Sequence, residues 1–244
     1  MKLLFFFIAI TAIVFIIIFR RALIRLPVIL FYVIRDVFKR DKDYFKPYGC
    51  WFFVGKQGAG KTMSLVWTLE QLRKQYPKLK IYTNFGYIHE TRALNNLNDL
   101  LDRSLYNGTY GTVFVIDEIQ NEFSSATSRN FPESVLSLVT QQRKNHVLIL
   151  CTSQVFTRVS KPLREQAFRV IECSTYFGRY TTCKHYDGID YADSFEKSEN
   201  YKMEHRRRLD YNCFIQSDKL RGLFDSYRLI EKLSRVGFSP KSPS

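Results

Sequence analysis

The chain begins with an unbroken apolar run and only later settles into short apolar blocks separated by polar punctuation. The run LLFFFIAITAIVFIIIF, Leu3 to Phe19, holds seventeen uncharged residues, with Thr11 its one polar side chain. As a helix it would rise about 26 Å, the short end of what crosses a bilayer. A transmembrane helix is therefore expected over residues 1–20. The next run, LPVILFYVI from Leu26 to Ile34, is too short to span and is flanked by charge. It predicts an interfacial helix within a basic juxtamembrane segment, residues 21–47. A helical hairpin built from both runs is the alternative.

After Pro47 the pattern changes. CWFFV (Cys50 to Val54) is a short apolar block ending in Gly55, as in a buried strand. Leu65, Leu69 and Leu72 then recur at helical spacing, with Val66 and Trp67 beside them, and Pro77 closes that helix. KIYTNF (Lys80 to Phe85) reads as a second strand, and Asn95 to Arg103 as a short helix before the turn at Asn107-Gly108 and Gly111. TVFVIDE (Thr112 to Glu118) is an aliphatic strand tipped by two acids. In NFPE, Asn130 can cap a helix and Glu133 complete the box. Val135, Leu138, Val139 and Gln142 share one face of that helix. HVLILCTSQ (His146 to Gln154) is another apolar strand, and FRVIECSTYF and RYTTCKHY bracket Gly178 as a hairpin. Alternating strands and helices predict an α/β domain with a mostly parallel sheet covered on both faces, residues 48–236. A flexible tail, 237–244, completes the expected organisation.

Charge refines the membrane reading. The net charge is +14. Residues 20–48 carry eight Lys or Arg against three Asp or Glu, so more than a third of the excess lies beside the apolar run. Anionic headgroups account for that cluster without nucleic acid. Lys2 stands alone on the other flank, so the C-terminal side of the span is expected to be cytoplasmic. The long core, the basic residues on the wrong side and the lack of a small-x-small site argue against a cleaved signal peptide. Five cysteines without a CxxC pair point to reduced thiols. Cys173, Cys183 and His185 have the wrong spacing for known zinc sets, and a hairpin over 175–185 makes the two cysteines strand neighbours.

The candidate chemistry centres on GKQGAGKT, Gly55 to Thr62, which fits G-x-x-x-x-G-K-[ST] with an expected strand before it and a helix after. Gly55, Lys56, Gln57, Gly58, Ala59 and Gly60 let backbone N–H groups converge on phosphate oxygens, with Met63 following at the helix start. Lys61 is expected to reach the β- and γ-phosphates of ATP, and the Thr62 hydroxyl to bind Mg2+. Asp117 would hold the same magnesium through water. Glu118 would orient or deprotonate the attacking water. Gln154, at the end of its strand, can touch both the γ-phosphate and that water. Arg143 and Arg158 flank the strand; each either is solvated or reaches a neighbouring subunit's nucleotide as an arginine finger. Arg206 to Arg208 either meet DNA phosphates or form a solvated face balanced by Glu204 and Asp210.

GKQGAGKT, VFVIDEIQ and QQRKNHVLILCTSQ together resemble the FtsK/HerA-type branch of P-loop ATPases. The stretches RKNHVLILCTSQVFTRVSKPLREQAFRVIEC and RGLFDSYR narrow this over residues 48–230: the chain is similar to the N-terminal ATPase domain of the zonula occludens toxin family, which includes the filamentous-phage assembly ATPases. The resemblance implies a RecA-like sheet in which the Gln154 strand lies between the P-loop strand and the acid-tipped strand. It also implies a homo-oligomeric ring that handles single-stranded phage DNA or coat and assembly proteins at the inner membrane. A DNA-packaging or conjugative motor, and a nucleotide-switched scaffold, are the alternatives. The segment order departs from phage relatives, which usually place the ATPase first and the span after it. Contact with an outer-membrane channel and toxin activity therefore do not carry over.

Overall fold

A computed structural model describes residues 19–20, 24–38, 43–94, 97–123, 125, 131–194 and 208–224. The chain divides into two units, residues 1–42 and 43–244. In the first, residues 24–38 form helix α1. Ile24, Leu26, Val28, Phe31, Val33 and Phe38 are each more than half exposed, so the helix is apolar nearly all round. It runs past the expected Ile34 through Arg35, which pairs with Asp36 at 3.1 Å and stacks over Tyr32. No helix among the described residues is long and apolar enough to cross a membrane. The span expected over residues 1–20 lies outside them, apart from the last two residues.

The second unit is built on an eight-stranded sheet. Strands β1 (Gly49–Val54), β2 (Lys80–Thr83), β3 (Arg92–Ala93), β4 (Thr112–Ile116), β5 (Val147–Ser153), β6 (Ala167–Tyr176), β7 (Tyr180–Asp187) and β8 (Arg208–Ile215) lie in the order β3-β2-β4-β5-β1-β6-β7-β8. All neighbours pair in parallel except β6–β7 and β7–β8. As the resemblance implied, β5 sits between β1 and β4. The strand tips that carry Gly55, Asp117 and Gln154 thereby become neighbours.

The reason is visible in the strands themselves. Every residue of β4 and β5 is buried, as parallel strands covered on both faces require. Alternation sends Phe52 and Val54 to one face and Phe53 to the other. On the first face they meet helices α3 (Glu133–Thr140), α5 (Lys161–Glu165) and α6 (Gly188–Asp193); on the second, helix α2 (Lys61–Gln75). Leu65, Val66 and Leu69 of α2 are fully buried, and each such side chain contributes roughly 1.5–3 kcal/mol. Trp67 stacks on Phe214 with ring centroids 5.2 Å apart, which fastens β8 to α2.

Several local expectations shift. Helix α3 begins at Glu133 after Pro132, which offers no side-chain cap; Asn130, expected to cap it, lies outside the described residues. Pro132 presets an extended φ of −64° and supplies the first carbonyl. The helix expected from Asn95 is a pair of 3₁₀ turns, 97–101 and 103–105, the second capped by Asp102. The hairpin around Gly178 forms, with Cys173 directly opposite Cys183. Strand β8 was not foreseen: it enters the sheet at Arg208, the last residue of the arginine run.

His185 on β7 is 5% exposed. Burial, then the charge of Arg169, pushes its imidazole below the usual value, against Asp210 and Asn212. The unfolded chain therefore binds a proton near pH 6.5 that the folded chain resists. Stability is full above about pH 6.5 and falls as pH drops below it. Thermal melts between pH 7.5 and 5 should show this decline, and His185→Gln should flatten it; an unchanged slope in the variant would rule the group out.

Candidate functional site

The loop between β1 and α2 is shaped by two glycines. Gly55 has φ 153°, and a side chain there would press to 2.9 Å from the Cys173 carbonyl. Gly60 caps α2 with φ 83°, and a Cβ would meet the Thr175 hydroxyl at 2.4 Å. Between them the Ala59 N–H donates to the Lys56 carbonyl at 3.1 Å, closing a tight turn. The Lys61 ammonium reaches back over that turn to the same carbonyl, also at 3.1 Å. Helix α2 has no acidic residue in its first turn. Its N-terminal partial positive charge is thus left to an external anion.

Across from this loop stands the tip of β4. Asp117 is 8% exposed, and its carboxylate lies 3.3 and 3.4 Å from the Thr62 hydroxyl. Thr152, on β5, donates its hydroxyl to the same carboxylate and accepts the Glu118 N–H at 2.8 Å. Asn84, just past β2, brackets the Asp117 peptide: its carbonyl accepts the Asp117 N–H at 2.8 Å and its amide donates to the Asp117 carbonyl at 3.2 Å. Burial pushes the Asp117 carboxyl above the usual range, with the Glu118 charge acting the same way and the two hydroxyls and Lys61 against it.

Glu118 adopts a left-handed backbone, φ 53°, uncommon for a residue with a Cβ. This turn aims the side chain back toward β5, where Gln154 donates to it at 3.3 Å and Asn121 at 3.0 Å. Gln57, Gly58, Gly60, Lys61, Thr62, Met63, Asp117, Glu118, Thr152 and Gln154 line one side of a cleft of about 530 Å³. Thr175, Gly178, Gln216, Arg221 and Phe224 complete it. A second cavity, about 560 Å³, lies along Gly55, Lys56 and Ala59, with Glu172 and Tyr191 opposite.

The two arginines read from sequence are not in this cleft. Arg143 lies over Tyr48, in helix α4 (Gln142–Asn145), and lines a smaller cavity with Gly49 and Phe168 at the opposite ends of the strands. Arg158 is exposed in the 3₁₀ turn after β5. Conversely, sequence reading missed Asn84, Thr152, Gln216 and Arg221. Asn84 and Thr152 sit at strand tips beside the acid-tipped strand, and that position is the signal that could have found them.

Sheet order and loop geometry together give a P-loop NTPase-type fold in which β5 lies between the strand before the glycine turn and the acid-tipped strand. Many solved structures are similar to the chain, three of them as follows. One is the N-terminal domain of zonular occludens toxin from Neisseria meningitidis, 15% identical, covering 72% of this chain and 98% of that one with a TM-score of 0.49. Another is the genome-packaging NTPase B204 from Sulfolobus turreted icosahedral virus 2, in complex with sulfate, 14% identical over 70% of this chain and 96% of that one, TM-score 0.45. The third is the cytoplasmic domain of the type VII secretion ATPase EccC from Thermomonospora curvata, 13% identical over 52% and 21%, TM-score 0.39. No protein-family model and no curated protein sequence matches the chain.

Proposed function

We propose that this is a membrane-anchored, magnesium-dependent ATPase that powers assembly and extrusion of a filamentous virion from the cytoplasmic side of the inner membrane. The observation that carries the ATPase part is the meeting of Thr62 and Asp117 at 3.3 Å, with Glu118 and Gln154 bonded to each other alongside. A hydroxyl and a carboxylate at one cleft wall are the oxygen donors a small hard cation needs. Thr62 and Asp117 would hold Mg2+, which would neutralise phosphate charge when bound. Lys61 and the loop N–H groups would bind the polyphosphate. Glu118 would take the proton from the attacking water, while Gln154 orients both.

The anchoring rests on the apolar run from Leu3 to Phe19, the basic flank and the apolar helix α1. Residues 1–20 would span, 21–47 would lie at the headgroups, and 48–236 would form the cytoplasmic motor, assembled as a ring. An anchor gives such a motor a fixed place beside cargo that must cross the bilayer, whether phage DNA or coat subunits.

One experiment tests both parts. The full chain is mixed with phosphatidylethanolamine–phosphatidylglycerol vesicles, floated, and washed with carbonate before phosphate release is measured. The expected result is carbonate-resistant flotation with hydrolysis that Lys61→Ala abolishes. Release of the protein by carbonate would overturn the anchor; equal hydrolysis by Lys61→Ala would overturn the ATPase. Stimulation by single-stranded DNA would identify DNA as the cargo, and stimulation by a single-span coat protein would identify the subunits.

A further inference from the structure

One wall of the cleft is explained neither by the glycine turn nor by the acids. Helix α7 (Asp218–Arg221) follows β8 and ends on Arg221, which faces the cleft that Lys61 and Thr62 line from the other side. The Arg221 Nη2 donates to the Gly178 carbonyl at 2.5 Å and to the Gln216 Oε1 at 2.9 Å, and its Nε donates to the same oxygen at 3.3 Å. Both acceptors are neutral. The ion pair at this corner is a different one, Arg179 with Asp218 at 2.8 Å. Arg221 is therefore aimed by dipoles, among the described residues, and its charge is left to the cleft.

The aiming is built in. Gln216 is 5% exposed. Its peptide is fixed on both sides, the N–H donating to the Arg179 carbonyl at 2.8 Å and the carbonyl accepting from Arg179 Nη1 at 3.1 Å. Its amide nitrogen donates to Thr181 at 2.8 Å and Thr175 at 3.3 Å, and the Thr175 hydroxyl donates to the Ala59 carbonyl at 3.0 Å. An unbroken chain of hydrogen bonds thus runs from the back of the glycine turn to the guanidinium. A merely solvated arginine needs no buried amide to orient it, and burying an amide is costly unless all its bonds are made.

We propose that Arg221 contacts the bound polyphosphate from within the same chain, as a second cation beside Lys61. The inference rests on the ATPase reading above. It assigns the nucleotide-facing arginine to the end of the sheet, not to Arg143 or Arg158, and makes it act in cis because its supports are residues of the turn's own subunit.

The test uses the full chain, a fluorescent N-methylanthraniloyl ADP and Mg2+. Arg221→Gln should weaken binding about tenfold at moderate salt, the loss of one charge-assisted bond. The difference should shrink as salt rises, and Arg221→Lys should recover part of it. Mixing Arg221→Gln with Lys61→Ala chains separates cis from trans: a cis residue leaves the mixture as slow as its parts. Unchanged affinity and salt dependence in Arg221→Gln would overturn the proposal, as would recovery of hydrolysis in the mixture. If the wild-type chain itself failed to bind the probe, the ATPase reading would fall first, and this one with it.

Discussion

Glu118→Gln should bind ATP with magnesium as the wild type does and hydrolyse it about 10²–10⁴ times more slowly. The substitution keeps the side chain's size. A glutamine at this position keeps one of the bonds that Glu118 accepts from Asn121 and Gln154, at 3.0 and 3.3 Å, and regains the other when that partner's amide flips to accept; the peptide N–H keeps its bond to Thr152. What is lost is the basic oxygen, and positioned general bases contribute about that factor. Phosphate release and nucleotide fluorescence on the same preparation give both numbers. Turnover within threefold of wild type would remove Glu118 as the base. Weakened binding at equal turnover would assign it a structural part instead. The same variant bears on the larger proposal: full virion release with a chain that cannot turn over ATP would leave a nucleotide-ordered scaffold in place of a motor.

The backbone explains why Glu118 is held so firmly. A left-handed φ of 53° at a glutamate is unfavourable by itself. It persists because the peptides on either side are tied: before it, Asn84 grips Asp117 and Thr152 accepts the Glu118 N–H; after it, the Glu118 carbonyl accepts the Asn121 N–H at 2.9 Å. Two strands that flank the acid-tipped one thus fix the geometry of its acids. The geometry of this site is a property of the sheet order as much as of the motif.

Much of that order was legible in the sequence. GKQGAGKT and VFVIDE declare themselves because phosphate binding and a buried strand each demand unusual local composition. The four-residue block KIYT and the fully buried VLILCTS are strands by the same logic. The place of β5 between β1 and β4 came only from the resemblance, since periodicity gives elements and not neighbours. Strand β8 was hidden because it alternates weakly: five of its first six residues are exposed, and its buried anchor, Phe214, comes near the end. Gln216 and Arg221 lie beyond it, and although Arg221 opens the RGLFDSYR stretch, nothing in that stretch points to phosphate chemistry. Their relation to the glycine turn exists only across the β6–β7 hairpin, through Thr175 and Thr181. Arg143 stands near β5 in sequence but at the end away from Gln154, and adjacency along a strand cannot tell which tip a residue serves.

Asp117→Asn is the second large effect, and its two parts have opposite signs. The carboxyl is pushed up chiefly by burial, so the folded chain holds its proton more tightly than the unfolded chain does. Ionising it therefore costs stability at any pH above about 4, the unfolded value. Removing the charge should raise the melting temperature of the nucleotide-free protein by a few degrees at pH 7, and the advantage should vanish as pH falls below about 4. The asparagine can still accept the Thr152 hydroxyl, so the contact with β5 survives. With magnesium and ATP the order should reverse. A wild-type chain at a hundredfold excess of ligand over Kd gains about 2.7 kcal/mol, whereas the variant, lacking the anionic oxygen beside Thr62, should gain almost nothing. Two melting curves per protein, with and without nucleotide, are enough. If the variant melts lower than wild type without ligand, the carboxylate is a structural anchor. If it shows the full nucleotide shift, Asp117 is no metal ligand, and the pairing of the glycine turn with the acid-tipped strand is fortuitous.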